Sequence, residues 1–134
     1  MICLDNSVLT RFASEKRYPA VEQYLSEHAT ESWTIPATVA YEYYSFFETQ
    51  SAVRAQQRAL EDRLDGIFPI TDEVAVEAAR MELALAQHGI SLAPSDLLHA
   101  ATAHEHNATF VTRDANDFDK EPIKQLMSID IIHS

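Results

Sequence analysis

Short apolar runs that alternate with helix-patterned segments constrain this chain more than any other feature. Ile2 to Leu4, Trp33 to Ile35 and Thr109 to Val111 are unbroken and largely apolar or β-branched, as strands buried on both faces are. The stretches between them carry helical spacing. Pro19 suits a first helical turn ahead of Val21, Tyr24 and Leu25, and Thr71-Asp72-Glu73 opens a segment with Val74, Ala78, Met81 and Leu85 on one stripe, ending near Gly89. Strand and helix in alternation predict an α/β chain with a central parallel sheet of four to five strands, covered by helices on both sides.

The remaining elements follow the same logic. The first strand ends at Asp5 and is followed by a helix through about Phe12. Pro36 opens a helix reaching about Thr49, and another covers Val53 to Leu64 with Gly66 as its stop. Ile67 to Ile70 reads as a short strand or extended link. Pro94-Ser95-Asp96 begins a helix through about His106, with Leu97, Leu98 and Ala101 facing a core, and Asp130 to Ile132 is the last strand. At 134 residues, without repeats or a shift in composition, residues 1–134 are expected to form a single domain. No apolar run approaches the roughly 18 residues that suggest a membrane span, and no signal-peptide pattern opens the chain, so a cytoplasmic protein is expected. The single cysteine, Cys3, lies inside an apolar strand and reads as packing.

The formal net charge of −11 argues against broad electrostatic binding of nucleic acid. An acidic enzyme can still act on a polyanion when bound cations neutralise its site and a few arginines contact phosphate. The acidic excess fits either a solvated face suited to high salt or ordinary acidic solubility.

Four carboxylates stand at informative positions. Asp5 and Asp114 each follow a strand, and ligands of parallel sheets bind beyond the strands' carboxyl ends. An aspartate there is equally a helix N-cap or a turn cap. Asp96 can be a first-turn acid complementing the helix dipole. Glu42 lies in Thr38-Val39-Ala40-Tyr41-Glu42-Tyr43-Tyr44-Ser45-Phe46-Phe47, apolar nearly all round, and is expected to be buried, where a carboxylate needs compensation. Several acids converging would repel one another unless a divalent cation bound them, and oxygen donors suit Mg²⁺ or Mn²⁺.

Ile2-Cys3-Leu4-Asp5-Asn6-Ser7, Ile35-Pro36-Ala37 leading to Glu42, Asp96 running into Leu97-Leu98-His99-Ala100-Ala101-Thr102-Ala103, and Ala108-Thr109-Phe110-Val111-Thr112-Arg113-Asp114-Ala115-Asn116-Asp117-Phe118 occur in this order. In these motifs, over essentially its whole length, the chain resembles the PIN domain, and within it the VapC-type toxins of toxin–antitoxin pairs. The resemblance implies a three-layer α/β/α fold with the acids meeting in one cleft. It also implies a Mg²⁺- or Mn²⁺-dependent endoribonuclease, in which a carboxylate-held metal polarises the scissile phosphate and acidifies a bound water. Asp5, Glu42, Asp96 and Asp114 are then the catalytic and metal-binding acids, with Asp117 a substitute or supporting acid. Ser7 and Thr112 match hydroxyl positions that orient a ligand, water or phosphate. Asn6 departs from the more usual Thr or Ser after the first aspartate, and the fourth motif offers both Asp114 and Asp117. Arg113, and with less weight Arg11, can contact phosphate, although a surface ion pair serves Arg113 equally well.

The resemblance further implies an RNA substrate, a cognate antitoxin and a homodimer. Tyr41, Tyr43, Tyr44, Phe46 and Phe47 exceed what one core-facing stripe needs. In VapC-like proteins such helices line the antitoxin groove and the dimer contact. An antitoxin delivering an amphipathic helix and a basic side chain would suit the charge balance. His99, His104 and His106 lack the spacing of a histidine zinc site and are expected at the surface or as caps. A different α/β metal phosphohydrolase is disfavoured by the missing second aspartate after Asp5. A PIN-like binding module that has lost catalysis is the other alternative.

Overall fold

In the computed structural model, which describes residues 1–134, the apolar runs form one five-stranded parallel sheet. Its strands are β1 (Ile2–Leu4), β2 (Trp33–Pro36), β3 (Gly66–Phe68), β4 (Thr109–Thr112) and β5 (Ile129–Ile131), in the order β3-β2-β1-β4-β5. The two-residue side-chain period divides each strand between two cores. Ile2, Leu4 and Val111 face a cluster with α1 (Asn6–Phe12), α2 (Pro19–Glu27), α3 (Ala37–Tyr44) and α4 (Gln50–Arg63). Cys3 and Phe110 face the other, with α5 (Asp72–Ala86), α6 (Pro94–Glu105), α7 (Ala115–Phe118) and α8 (Glu121–Leu126). The result is a three-layer α/β/α arrangement around the parallel sheet, as the sequence predicts. Burial pushes the Cys3 thiol up to about 12, so this residue is an inert packing group.

Several boundaries differ from the sequence reading, each for a local reason. The helix expected from Pro36 to about Thr49 stops at Tyr44, where the Ser45 hydroxyl donates to the Glu42 carbonyl (2.7 Å). Thr49 then accepts from the Ala52 N–H (3.1 Å) and starts α4 at Gln50, ahead of the expected Val53. Gly66 does not stop that helix. Leu64 already turns extended, and Gly66 is the first residue of β3, paired with Thr34. The third strand starts one residue and ends two residues earlier than expected, the fifth lies one residue earlier, and the helical segments α7 and α8 lie in the C-terminal region. Leu97 and Ala101 are buried as expected, whereas Leu98 is only partly so.

Strand order positions the cleft. β1 lies between β2 and β4, so the chain leaves β1 on one side and returns on the other. Such a switch point leaves a crevice at the strands' carboxyl ends. Register pairs Leu4 with Val111, which brings Asp5, the residue after β1, beside Thr112, the last of β4. No helix is long and apolar enough to cross a membrane.

Candidate metal centre

Asp5 occupies the crevice and is both a helix cap and the centre of a hydroxyl network. Its Oδ1 accepts from the Asn6 N–H (2.8 Å), and its Oδ2 from Thr112 Oγ1 (2.7 Å) and Ser7 Oγ (3.2 Å). The two hydroxyls are themselves oriented. Thr112 Oγ1 accepts from the Asp114 N–H (3.0 Å), and Ser7 Oγ accepts from the Arg113 N–H (3.0 Å). Backbone amides beyond β4 therefore aim both hydroxyl protons at one carboxylate oxygen. Asp5 is 7% exposed and Thr112 fully buried.

Glu42 reaches the cleft from α3, but it is not buried as expected. Its side chain is 35% exposed. Helix α3 buries only Val39, Ala40 and Tyr43, leaving Tyr41 73% exposed, and Phe46, just beyond the helix, is 71% exposed. The group that meets Glu42 is His99, whose Nε2 lies 2.9 Å from Glu42 Oε1. His99 is 1% exposed, contrary to the expectation that it is a surface or capping histidine. It is buried because α6 has Leu97 and every residue from His99 to Ala103 buried. His106 does cap α6 and stacks on Phe68 at 3.7 Å, and His104 lies 3.4 Å from Glu77. One ligand atom each from Asp5, Glu42 and His99 falls within 4.8 Å of the others.

The remaining acids surround this trio without entering it. Asp96, in the first turn of α6, has its pKa raised above the usual carboxylate range. Partial burial is the main cause, followed by the charge of Asp5; Asp117 and Asp114 add to it and His99 opposes it. Asp114 caps α7, accepting from the Asp117 N–H (3.0 Å). The Asp117 pKa is also raised, by desolvation and then by its hydrogen bond with the Asp114 carboxyl and that group's charge, with Lys120 opposing. The fold thus brings Asp5 and Glu42 together and leaves Asp96, Asp114 and Asp117 as a like-charged fringe.

The donor set fits a hard divalent cation. Among Asp5, Glu42, Asp96, Asp114 and Asp117, only Glu42 has an ion-pair partner, and that partner is His99; no lysine or arginine salt bridge neutralises the group. Carboxylate oxygens converging without a lysine or arginine salt bridge are the donors that Mg²⁺ and Mn²⁺ take. Arg113 stands beside the cleft with its Nε on Ser134 Oγ (3.0 Å). Its pKa is lowered by desolvation and by the neighbouring charge of Arg11.

The family model described as PIN domain matches residues 2–122. Among solved structures, the chain is similar to VapBC2 from Rickettsia felis bound to a DNA fragment from its promoter, at TM-score 0.76 and 21% identity, covering 98% of each chain. It is similar to FitAcB from Neisseria gonorrhoeae at TM-score 0.73 and 22% identity, covering 96% of each chain. A toxin–antitoxin complex from Klebsiella pneumoniae matches at TM-score 0.73 and 18% identity, over 100% of this chain and 99% of that one. No curated protein matches the chain significantly.

Proposed function

The chain belongs to the PIN domain family, and from that premise we propose that it is a Mg²⁺- or Mn²⁺-dependent endoribonuclease, the toxin of a VapBC-type pair. One observation carries the reading: Asp5 and Glu42 converge at the sheet's switch point, amid three further aspartates, with no lysine or arginine in a salt bridge to any of them. Asp5 and Glu42 would hold the cation, with Asp96 and Asp114 completing its shell directly or through water and Asp117 supporting Asp114. When bound, the cation supplies Lewis acidity at the phosphate and lowers the pKa of water.

The protein's own groups do the rest. Thr112 and Ser7 fix the Asp5 carboxylate, so its second oxygen points in one direction. Arg113, which has no carboxylate partner, contacts the RNA phosphate, giving a point of attachment in an otherwise repulsive cleft.

The structural relatives named as toxin–antitoxin complexes support an antitoxin partner. A groove of about 840 Å³ lies where α3 gives way to α4, lined by Tyr44, Phe47, Val53, Arg54 and Gln57 among others. It includes none of the five cleft acids, so an antitoxin helix seated there would still have to extend a basic residue to reach the cleft. The exposed Tyr41 and Phe46 give the homodimer an apolar contact. In this reading residues 1–134 act as one domain in the cytoplasm.

The test is cleavage of single-stranded RNA by purified protein. Cleavage should require Mg²⁺ or Mn²⁺, stop with chelator, and be lost in Asp5→Asn and Asp96→Asn. Normal cleavage by both variants would remove this assignment of the site. Adding the product of the neighbouring gene should inhibit the parent protein, and failure to form a complex at micromolar concentration would sink the antitoxin reading.

A further inference from the structure

Both ring nitrogens of His99 are engaged by one face of α3. Nδ1 lies 2.7 Å from Thr38 Oγ1, and Nε2 lies 2.9 Å from Glu42 Oε1. Thr38 and Glu42 are four residues apart, so they project from neighbouring turns of the same helix face. The imidazole is therefore clamped between them while its own helix, α6, carries Asp96 one turn earlier.

The chemistry of the partners assigns the protons. An ionised carboxylate only accepts, so Nε2 carries the hydrogen that goes to Glu42. In the neutral ring Nδ1 is then an acceptor, and Thr38 Oγ1 donates to it. With its hydrogen aimed at Oε1, Nε2 presents no lone pair to a cation in the cleft. His99 is thus a partner of a ligand, although it lies in the trio with Asp5 and Glu42.

We infer that His99, oriented by Thr38, is a positioning residue that holds the half-exposed Glu42 carboxylate in the geometry needed to bind a divalent cation beside Asp5. Without the clamp, Glu42 is a flexible side chain on a helix whose outer face is solvated, and each cation bound would have to order it. A histidine N–H on a carboxylate ligand also fixes which oxygen remains for the cation. This inference rests on the metal-dependent reading of the cleft.

Titration calorimetry with Mn²⁺ tests it without catalysis. Thr38→Val should weaken Mn²⁺ binding several-fold. His99→Phe, which loses the N–H donor, should weaken it about 10–100-fold, the usual cost of losing such a partner. Thermal melts in chelator show whether each variant folds; if His99→Phe does not, His99→Leu, which also lacks the donor, and Thr38→Val carry the test. For folded variants, kcat on single-stranded RNA should fall with KM little changed. Nitrogen NMR of the metal-free protein should show the Nε2–H tautomer, and pulsed EPR of the Mn²⁺ form should show no directly bound histidine nitrogen. Parental Mn²⁺ affinity in the folded variants, the opposite tautomer, or a directly coordinated nitrogen would each overturn the inference. Asp5→Asn separates the two levels. If it alone loses Mn²⁺, the metal reading stands and the clamp falls; if it binds like the parent, the metal reading itself falls.

Discussion

Thr112 Oγ1 donates to Asp5 Oδ2 at 2.7 Å, joining residues 107 apart in the chain across adjacent strands. The same hydroxyl oxygen accepts the Asp114 N–H, so one fully buried threonine links the first and fourth motifs.

Thr112→Val keeps the shape and removes both hydrogen bonds. A buried acceptor and a part-buried amide then lose a partner, which costs about 1–3 kcal/mol. Urea unfolding should report that loss, and RNA cleavage should fall about tenfold or more as Asp5 loses its orientation. A variant with parental stability and activity would show that the link is dispensable.

Asp5→Asn removes the acid that contributes, after burial, to raising the Asp96 pKa. The variant should show Asp96 titrating closer to the usual value of 3.8, measurable by carbon NMR of its carboxyl. Its Mg²⁺-dependent rise in melting temperature should disappear. In the parent that rise should correspond to about 2.7 kcal/mol at a hundredfold excess of Mg²⁺ over Kd.

Asp96 also sets a sign for pH dependence. Because its folded-state pKa is raised, the folded protein binds the proton more tightly than the unfolded chain does. Its charged form therefore opposes folding at neutral pH, and that penalty is relieved as pH falls through the raised pKa toward 3.8. In chelator, Asp96→Asn should be more stable than the parent at pH 7, and the gap should shrink near pH 4. Urea titrations at the two pH values check it; a gap that widens toward acid contradicts the electrostatic account.

Arg113→Gln should raise KM for RNA while changing kcat little. The slope of log affinity against log salt should fall by about 0.7, the value for one phosphate contact on a single strand. Stability should stay within about 0.5 kcal/mol, because its side-chain contact is an exposed hydroxyl. An unchanged salt slope would remove Arg113 from the RNA contact.

Most of the architecture was legible in the residue order. Unbroken apolar runs such as Ile2–Leu4 can only be strands covered on both faces, and stripes such as Val74, Ala78, Met81 and Leu85 must face a core. Boundaries were less legible where a polar side chain chooses between two backbone partners. Ser45 and Thr49 both lie in a stretch patterned as helix, and their hydroxyls end one helix and begin the next.

The two ionisable residues that meet in the cleft show the limit more sharply. Glu42 and His99 both sit in apolar-looking helical sequence. Glu42, expected to be buried, is part-exposed, and His99, expected at the surface or as a cap, is buried. Periodicity places a residue on a face of its own helix; how many neighbours that helix has is a property of the packed layers. Helix α3 keeps a solvated side, with Tyr41 exposed, whereas α6 lies against α5, α3 and the sheet. Local pattern therefore accounts for the strands, the helices and the aspartate after β1. The pairing of Asp5 with Thr112, and of Glu42 with His99, depended on strand order and helix packing, because such contacts join residues 107 and 57 positions apart that no local pattern couples.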